Sequence, residues 1–146
     1  MNDLLVMARI ADRRCAFRAD HVQSVIELGS ITPIPCAPDF VAGITALRSQ
    51  ALTVIDCRQA IGVDRVELKS DHRAVVVSVE GYSYALVVDA IEDVTTGLEQ
   101  TDDVAGGYGE MWARIASGMV ETPTGPALLI DLSALIAGPD EFGIAV

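Results

Sequence analysis

The side chains best suited to catalysis or metal binding are few and widely spaced in this chain. Three cysteines, Cys15, Cys36 and Cys57, form no CxxC pair and no recognisable disulfide framework. The two histidines, His21 and His72, lie near neither a cysteine pair nor each other. A zinc site or a Cys–His nucleophile needs its partners grouped together. The pattern therefore favours partly buried thiols in a reducing compartment, with no metal and no cofactor.

Carboxylates are the remaining candidates for chemistry, and Asp89, Glu92 and Asp93 lie close together in the sequence. Acid–base catalysis needs titratable groups of different kinds that converge on one site. No histidine or lysine lies near these acids, and no Ser–His arrangement accompanies them. We therefore expect no enzymatic activity, and a small acidic β-barrel enzyme is the less favoured alternative.

Charge is divided unevenly along the 146 residues, whose formal net charge is −11. Residues 1–73 carry nine basic and nine acidic side chains, whereas residues 74–146 carry only Arg114 against twelve acids. An acidic surface repels the phosphates of nucleic acids and of anionic membranes, so neither is an expected partner. The acidic half is either a solvated face or a surface that meets a basic patch on another protein.

The hydrophobic pattern is that of a folded cytoplasmic protein. Apolar residues make up 51% of the chain, which is enough for a sizeable core. No apolar stretch approaches the roughly 20 residues that a membrane-spanning helix needs. The N-terminus lacks the basic start and the small-residue cleavage site of a secretory signal. We therefore expect no direct membrane insertion.

The chain contains an internal repeat in two parts. Residues 15–25 align with residues 84–94 at an offset of 69, with matching aspartate and valine positions. Residues 43–56 align with residues 118–131 at an offset of 75, and each copy begins with glycine and ends with aspartate. Two matches in the same order indicate a duplicated unit.

The local pattern predicts a mainly β fold, because short apolar stretches rich in β-branched residues alternate with polar turns. Each copy is expected to form a five-stranded barrel, which leaves few exposed sheet edges. Within a single domain of residues 1–146, we place one barrel at about 11–80 and the other at about 81–146 plus the N-terminal strand 4–10. Residues 97–109 are expected to form a long acidic loop.

Short helical turns are expected at two equivalent places in the duplicated unit. Asp20 and Asp89 carry the kind of side chain that accepts hydrogen bonds from the free N–H groups of a helix start. They are therefore expected to cap single turns at residues 21–25 and 90–94.

The repeat also predicts the roles of two pairs of residues. Asp56 and Asp131 occur in both copies, which favours a structural role such as a turn or cap hydrogen bond. Ile55 and Ile130 occupy equivalent positions in two predicted strands. Each isoleucine is expected to point into the separate core of its own barrel.

Several segments together resemble the CheW-like family of chemotaxis coupling proteins. Residues 34–48, IPCAPDFVAGITALR, and residues 53–56, TVID, are similar to the family's central signature. VQSVIEL at 22–28 and LVVDAIEDV at 86–94 are similar to two further family segments. The resemblance covers nearly the whole chain and implies two intertwined five-stranded SH3-like barrels.

The resemblance implies a non-enzymatic adaptor that couples methyl-accepting chemoreceptors to the histidine kinase CheA at membrane receptor arrays. The implied partners are the regulatory domain of the kinase and the cytoplasmic helical tip of the receptor. Arg48 would form bidentate bonds with a partner carboxylate or with carbonyls at a helix end, and an ordinary exposed loop arginine is its alternative role. Core packing is the alternative role for the three valines of the set. The family positions carried over as partner-binding residues are Val25, Glu27, Gly43, Arg48, Val87 and Val88.

Three positions depart from the family pattern. Ala46 stands where the family has asparagine, Ser49 where it has glycine, and Thr53 where it has proline. Glycine accepts a positive φ that serine tolerates poorly, so the turn that presents Arg48 is expected to differ in shape. The departures indicate a divergent member, and an adaptor of a non-flagellar chemosensory system is the alternative function.

Overall fold

The computed structural model describes residues 2–62, 72–100 and 110–137. Within these ranges the chain is mainly β, as predicted, with short helical segments between strands. The strands are β1 (Asn2–Ile10), β2 (Arg13–Arg18), β3 (Val22–Glu27), β4 (Val41–Leu47), β5 (Gln50–Asp56), β6 (Arg73–Val79), β7 (Tyr82–Val87), β8 (Ala90–Gln100), β9 (Ala116–Thr122) and β10 (Gly125–Ile130). The helices are α1 (Cys57–Ala60), α2 (Glu110–Ile115) and α3 (Leu132–Ala137), and residues Ala19–His21 form a 3₁₀ turn.

The first sheet is a closed barrel in the order β1-β2-β10-β9-β8. Strand β1 closes it by pairing with β2 on one side and with β8 on the other. The β1–β2 turn consists of Ala11 and Asp12, both with positive φ. Two consecutive positive φ values define the type I′ turn, whose twist suits a tight antiparallel hairpin.

The second sheet has the order β3-β6-β7-β5-β4, and an isolated backbone bridge joins β4 to the segment that follows β3. Thr32 and Ile44 exchange two backbone hydrogen bonds of 2.8 Å. The hydroxyl of Thr45 adds a bond of 2.8 Å to the carbonyl oxygen of Ser30. The chain after β3 bends at Gly29, whose φ is 69°, so β3 itself does not reach β4. The two predicted five-stranded units are therefore present, one closed by strands and the other bridged.

The two sheets are copies of one arrangement. The parallel register Leu128↔Cys15 in the first sheet corresponds to Thr53↔Tyr84 in the second, at the two offsets of the sequence repeat. Replacing each strand by its equivalent converts the strand order of the first sheet into that of the second, opened between β3 and β4. The duplication read from the sequence is thus a duplication of structure.

Sheet membership differs from the predicted division of the chain at residue 80. Each sheet combines the first hairpin of one copy with the last three strands of the other: β1 and β2 join β8–β10, and β6 and β7 join β3–β5. The predicted boundaries at residues 10/11 and 80/81 each separate the two strands of a hairpin, β1 from β2 and β6 from β7. Hairpin strands remain neighbours because their turn holds them together. Residues 138–146 of the predicted second unit lie outside the described residues.

The core has three layers rather than the two separate cores predicted. Leu5, Met7 and Leu129 belong to a cluster within the first sheet, and Leu52 and Val54 to one within the second. A larger cluster lies between the sheets and contains both Ile55 and Ile130. The prediction of separate cores for these isoleucines was wrong, because strand alternation turns them towards the other sheet.

Two further local predictions differ from the structure. The segments predicted as helical turns after Asp20 and Asp89 begin strands β3 and β8, and Asp20 lies inside the 3₁₀ turn. The first residues of the predicted loop, 97–100, belong to β8. The rest of that loop, 101–109, lies outside the described residues.

The paired aspartates have the structural role that their recurrence predicted. The carboxylate of Asp56 caps α1 by accepting from the backbone N–H groups of Arg58 and Gln59, at 3.1 and 3.4 Å. The carboxylate of Asp131 accepts from the N–H of Ala134 at 3.3 Å in α3. Each cap fixes a short helix at the end of an equivalent strand.

Candidate functional site

The hairpin between β4 and β5 presents Arg48 to solvent. Arg48 and Ser49 form its two-residue turn, with φ of 51° and 71°. Serine therefore adopts the left-handed conformation for which glycine is better suited, and the turn has the type I′ combination of φ values. The expectation that Ser49 changes the turn's shape receives no support from these angles.

Apolar side chains surround this turn on the outer face of the second sheet. The strand registers place Ala46 opposite Ala51 and Ile44 opposite Thr53, with Tyr84 beside Thr53. Ile44 is 39% exposed and Tyr82, at the start of β7, is 69% exposed. We call Ile44, Ala46, Ala51 and Tyr82, with Arg48 at their rim, the Arg48 face. Sequence reasoning found Arg48 but missed its apolar neighbours, because only strand pairing brings them together.

The equivalent positions of the first sheet are different in character. Glu121 corresponds to Ala46, Pro126 to Ala51 and Arg13 to Tyr82, at the offsets of the repeat. All three are exposed. Glu121 and Arg13 thus place charges in one copy where the other has Ala46 and Tyr82, whereas Pro126 and Met119, the equivalent of Ile44, are apolar. An exposed apolar patch on only one of two duplicated sheets indicates a specialised contact surface.

A second surface includes exposed residues of β3 and β8. Val25 pairs with Val75 and Val94 pairs with Val6, and these two pairs are equivalent in the repeat. Val25 is 38% and Val94 54% exposed, whereas their partners are buried in the cluster between the sheets. Glu27, two residues beyond Val25, is also exposed. We call Val25, Glu27 and Val94 the seam surface, since they border the layer that the sheets share.

Three of the six predicted partner-binding residues are buried. Val87 lies in the cluster within the second sheet and Val88 in the cluster between the sheets. Gly43 is buried too, and a Cβ there would lie 2.3 Å from the carbonyl oxygen of Thr32, at the bridge that joins the sheet's ends. The side chains of Val87 and Val88 are therefore not exposed at the surface. Val87 at the end of β7 and Val88 just after it pack in different clusters because the chain is covered on both faces there, and Gly43 permits the close backbone approach.

Asp89 connects three parts of the chain at the crossing from β7 to β8. Its carboxylate accepts from the N–H of Ala11 at 2.8 Å and pairs with the guanidinium of Arg58 at 3.0 Å. Its own N–H donates to the carbonyl oxygen of Arg9 at 2.8 Å. Asp89 therefore joins a turn of the first sheet to the helix that follows the second.

The thiols and carboxylates form no arrangement suited to catalysis within the described ranges. Burial raises the pKa of the Cys15 thiol to about 12 and places the pKa of Cys57 well above its usual value. Such thiols stay protonated and unreactive at neutral pH. No group of three or more His, Cys, Asp and Glu side chains in the described part of the chain is placed to hold a metal ion. Nor do these ranges contain a helix long and apolar enough to cross a membrane.

Comparison with known proteins agrees with the duplicated β architecture. The family model of the CheW-like domain matches residues 4–140. The chain belongs to the CheW-like family. Proteins of this family are non-enzymatic scaffolds of chemotaxis signalling, so the chain is an adaptor that couples chemoreceptors to a kinase, as the sequence resemblance implied.

Individual relatives have low sequence identity to this chain, but the matches cover most of its length. The chain is 27% identical over 114 residues to the chemotaxis protein CheW of Rhizobium meliloti, covering 75% of this chain and 74% of that relative. It is 25% identical over 129 residues to the chemotaxis protein CheW of Thermotoga maritima, covering 87% and 83%. The crystal structure of the scaffolding protein TtCheW from Thermoanaerobacter tengcongensis matches with a TM-score of 0.78 and 26% identity, over 92% of this chain and 88% of that one.

Proposed function

We propose that this CheW-like chain binds its two partners on separate surfaces: the regulatory domain of the histidine kinase CheA on the Arg48 face, and the helical tip of a chemoreceptor on the seam surface. The observation that carries the division is the break in internal symmetry at the Arg48 face. A partner that used both duplicated sheets alike would require similar surfaces on both. At these positions only the second sheet has large hydrophobic side chains that are exposed, Ile44 and Tyr82.

The composition of the Arg48 face supports a protein partner with an apolar sheet of its own. Tyrosine and arginine are the side chains that most often dominate binding energy at protein interfaces. Tyr82 offers a large exposed ring, and Arg48 offers a guanidinium that matches a carboxylate in a planar, bidentate geometry. A CheW-like regulatory domain would supply a β surface of comparable size.

The seam surface supports a helical partner. Val25 and Val94 extend the apolar layer between the sheets to the surface. An amphipathic helix binds when its apolar stripe lies along such a line of aliphatic side chains. Glu27 adds a charge beside the stripe, where it would set the helix's orientation more than its affinity. By this proposal the adaptor works in the cytoplasm, at receptor arrays on the membrane.

Separate binding assays with two variants test the division of surfaces. Arg48→Ala should weaken binding of the purified regulatory domain of CheA by about 2 kcal/mol, which is roughly thirtyfold in Kd. Binding of the receptor fragment should be unchanged. Val25→Glu should weaken binding of the receptor fragment and leave binding of the regulatory domain unchanged, because it places a charge within an apolar contact. Arg13→Ala, at an exposed arginine of the other sheet, is the matched control.

Two outcomes would contradict this proposal. Equal weakening of both partners by each variant would mean that they share one surface. Unchanged binding of both partners by Arg48→Ala would remove Arg48 from the interface. Thermal melts of each variant distinguish lost binding from lost folding, since an exposed turn arginine changes stability by no more than about 0.5 kcal/mol.

A further inference from the structure

A cleft of about 480 Å³ opens where the two sheets meet near the β6–β7 turn. Three hydroxyl side chains, Ser78, Ser117 and Ser133, line it together with the carboxylates of Glu80 and Asp131. The volume lies within the ~300–1,000 Å³ range of sites that bind small groups. We call this the open cleft.

The internal repeat shows what fills the same place on the other side of the molecule. Ser133 corresponds to Arg58, and Ser78 corresponds to Arg9. The guanidinium of Arg58 pairs there with Asp89 at 3.0 Å. The open cleft is therefore the copy of the junction in which Ser133 replaces Arg58, while Arg9, the equivalent of Ser78, pairs with Glu92 at 2.7 Å instead.

Burial at equivalent positions confirms that one junction is filled and the other is not. Asp56 is 2% exposed, whereas its equivalent Asp131 is exposed. Cys57 is completely buried, whereas its equivalent Leu132 is only half-buried. The two junctions therefore differ in how far the side chains at equivalent positions are covered.

The charges of the open cleft favour a cation. Glu80 and Asp131 contribute two negative charges, and Arg18, which also lines the cleft, contributes one positive charge. His21 completes the polar lining. One incoming guanidinium would balance the remaining charge and donate several hydrogen bonds to carboxylates and hydroxyls.

We propose that the open cleft binds the guanidinium of an arginine supplied by the chemoreceptor's helical tip, in the place that Arg58 fills in the other half of the molecule. This inference rests on the proposed receptor contact. It is continuous with that contact, because Val79, Ile130 and Leu132 of the cleft wall also pack on the cluster between the sheets that the seam surface borders. An arginine here would fix the position of a helix that the apolar seam holds only loosely.

The test uses a probe that contains only the proposed group. Nα-acetyl-arginine amide is titrated into the intact chain, and backbone amide shifts are followed by NMR. Nα-acetyl-citrulline amide, which replaces the guanidinium by a neutral group of nearly the same shape, is the control probe. We expect saturable shifts at Ser78, Ser117 and Ser133 with the arginine probe and none with citrulline.

Two variants and one control variant complete the test. Ser133→Arg should fill the cleft from within, as Arg58 does in the other half, and abolish the shifts. Glu80→Gln should weaken binding of the arginine probe severalfold. Glu121→Gln, which changes an exposed acid on β9, should leave that binding unchanged. Equal shifts with citrulline, shifts spread over other acids, or full binding by Ser133→Arg would overturn the proposal. The probe needs no partner, so these results are independent of whether receptor and kinase bind as proposed above.

Discussion

Ile55 and Ile130, equivalent residues of the two copies, bury their side chains in the same apolar cluster between the sheets. The duplication therefore produced one shared layer in addition to the small core within each sheet. Neither sheet buries this layer without the other. The two halves should consequently unfold as one unit, even though each sheet has a core of its own.

Truncation of Ile55 tests this cooperativity. Ile55→Ala should cost about 2–5 kcal/mol by removing apolar contacts and leaving a cavity. Native-state hydrogen exchange should show reduced protection in the strands of both sheets, because the cavity lies in the layer they share. Leu52→Ala, inside the second sheet's own cluster, is the comparison. Loss of protection confined to β3–β7 in the Ile55 variant would show that the halves are energetically independent.

At the Arg48 turn a substitution should raise stability rather than lower it. Ser49 has a φ of 71°, a conformation that costs a non-glycine residue of the order of 1 kcal/mol. Ser49→Gly should therefore raise the free energy of unfolding by about 0.5 kcal/mol, after allowance for the greater freedom of glycine in the unfolded chain. Urea denaturation measures the change. Ala51→Gly, in β5, should destabilise instead, and a loss of stability in Ser49→Gly would contradict the strain at this turn.

Stability should fall at alkaline pH because of the buried thiols. Burial raises the pKa of Cys15 to about 12, above its ordinary value of 9.0. Between these values the unfolded chain has released the thiol proton and the folded chain has kept it. The unfolded state then binds fewer protons, so the free energy of unfolding decreases as pH rises. The contribution is fully present below pH 9 and is lost as pH rises through the folded pKa.

Denaturation curves between pH 8 and pH 11 measure this decline, with Cys15→Ala as the variant that should flatten part of it. A thiol reagent at pH 8 provides a second measurement. Cys36 is exposed and should react at once, whereas Cys15 and Cys57 should react only on unfolding. An identical pH slope in Cys15→Ala, or three fast thiols in the folded chain, would contradict the burial of these groups.

The fold could be predicted from the sequence to the level of strands and their duplication. Tight turns and β-branched stretches are local signals, and they located both β6–β7 and the hairpin that carries Arg48. Membership of a sheet is not local. The repeat alignment identified equivalent strands correctly, but nothing in it indicated that each sheet takes a hairpin from the other copy.

The candidate site was less predictable for the same reason. Val87 and Val88 follow one another in an apolar strand, and a strand covered on both faces has the same sequence pattern as one with an exposed apolar face. Tyr82 and Ala51 come together only through the parallel pairing of β5 with β7. Arg48 was found because a family motif contains it, whereas its apolar neighbours carry no comparable signal.

By the proposed division of surfaces, this chain physically links a chemoreceptor to CheA. Co-sedimentation of purified CheA with receptor-containing membrane vesicles, with and without the chain, measures this link. CheA should sediment only when the chain is present, and Arg48→Ala should leave the chain on the vesicles while CheA stays in solution. CheA recruitment that is independent of the chain, or undiminished by Arg48→Ala at limiting concentration, would show that the chain does not link the two partners through Arg48.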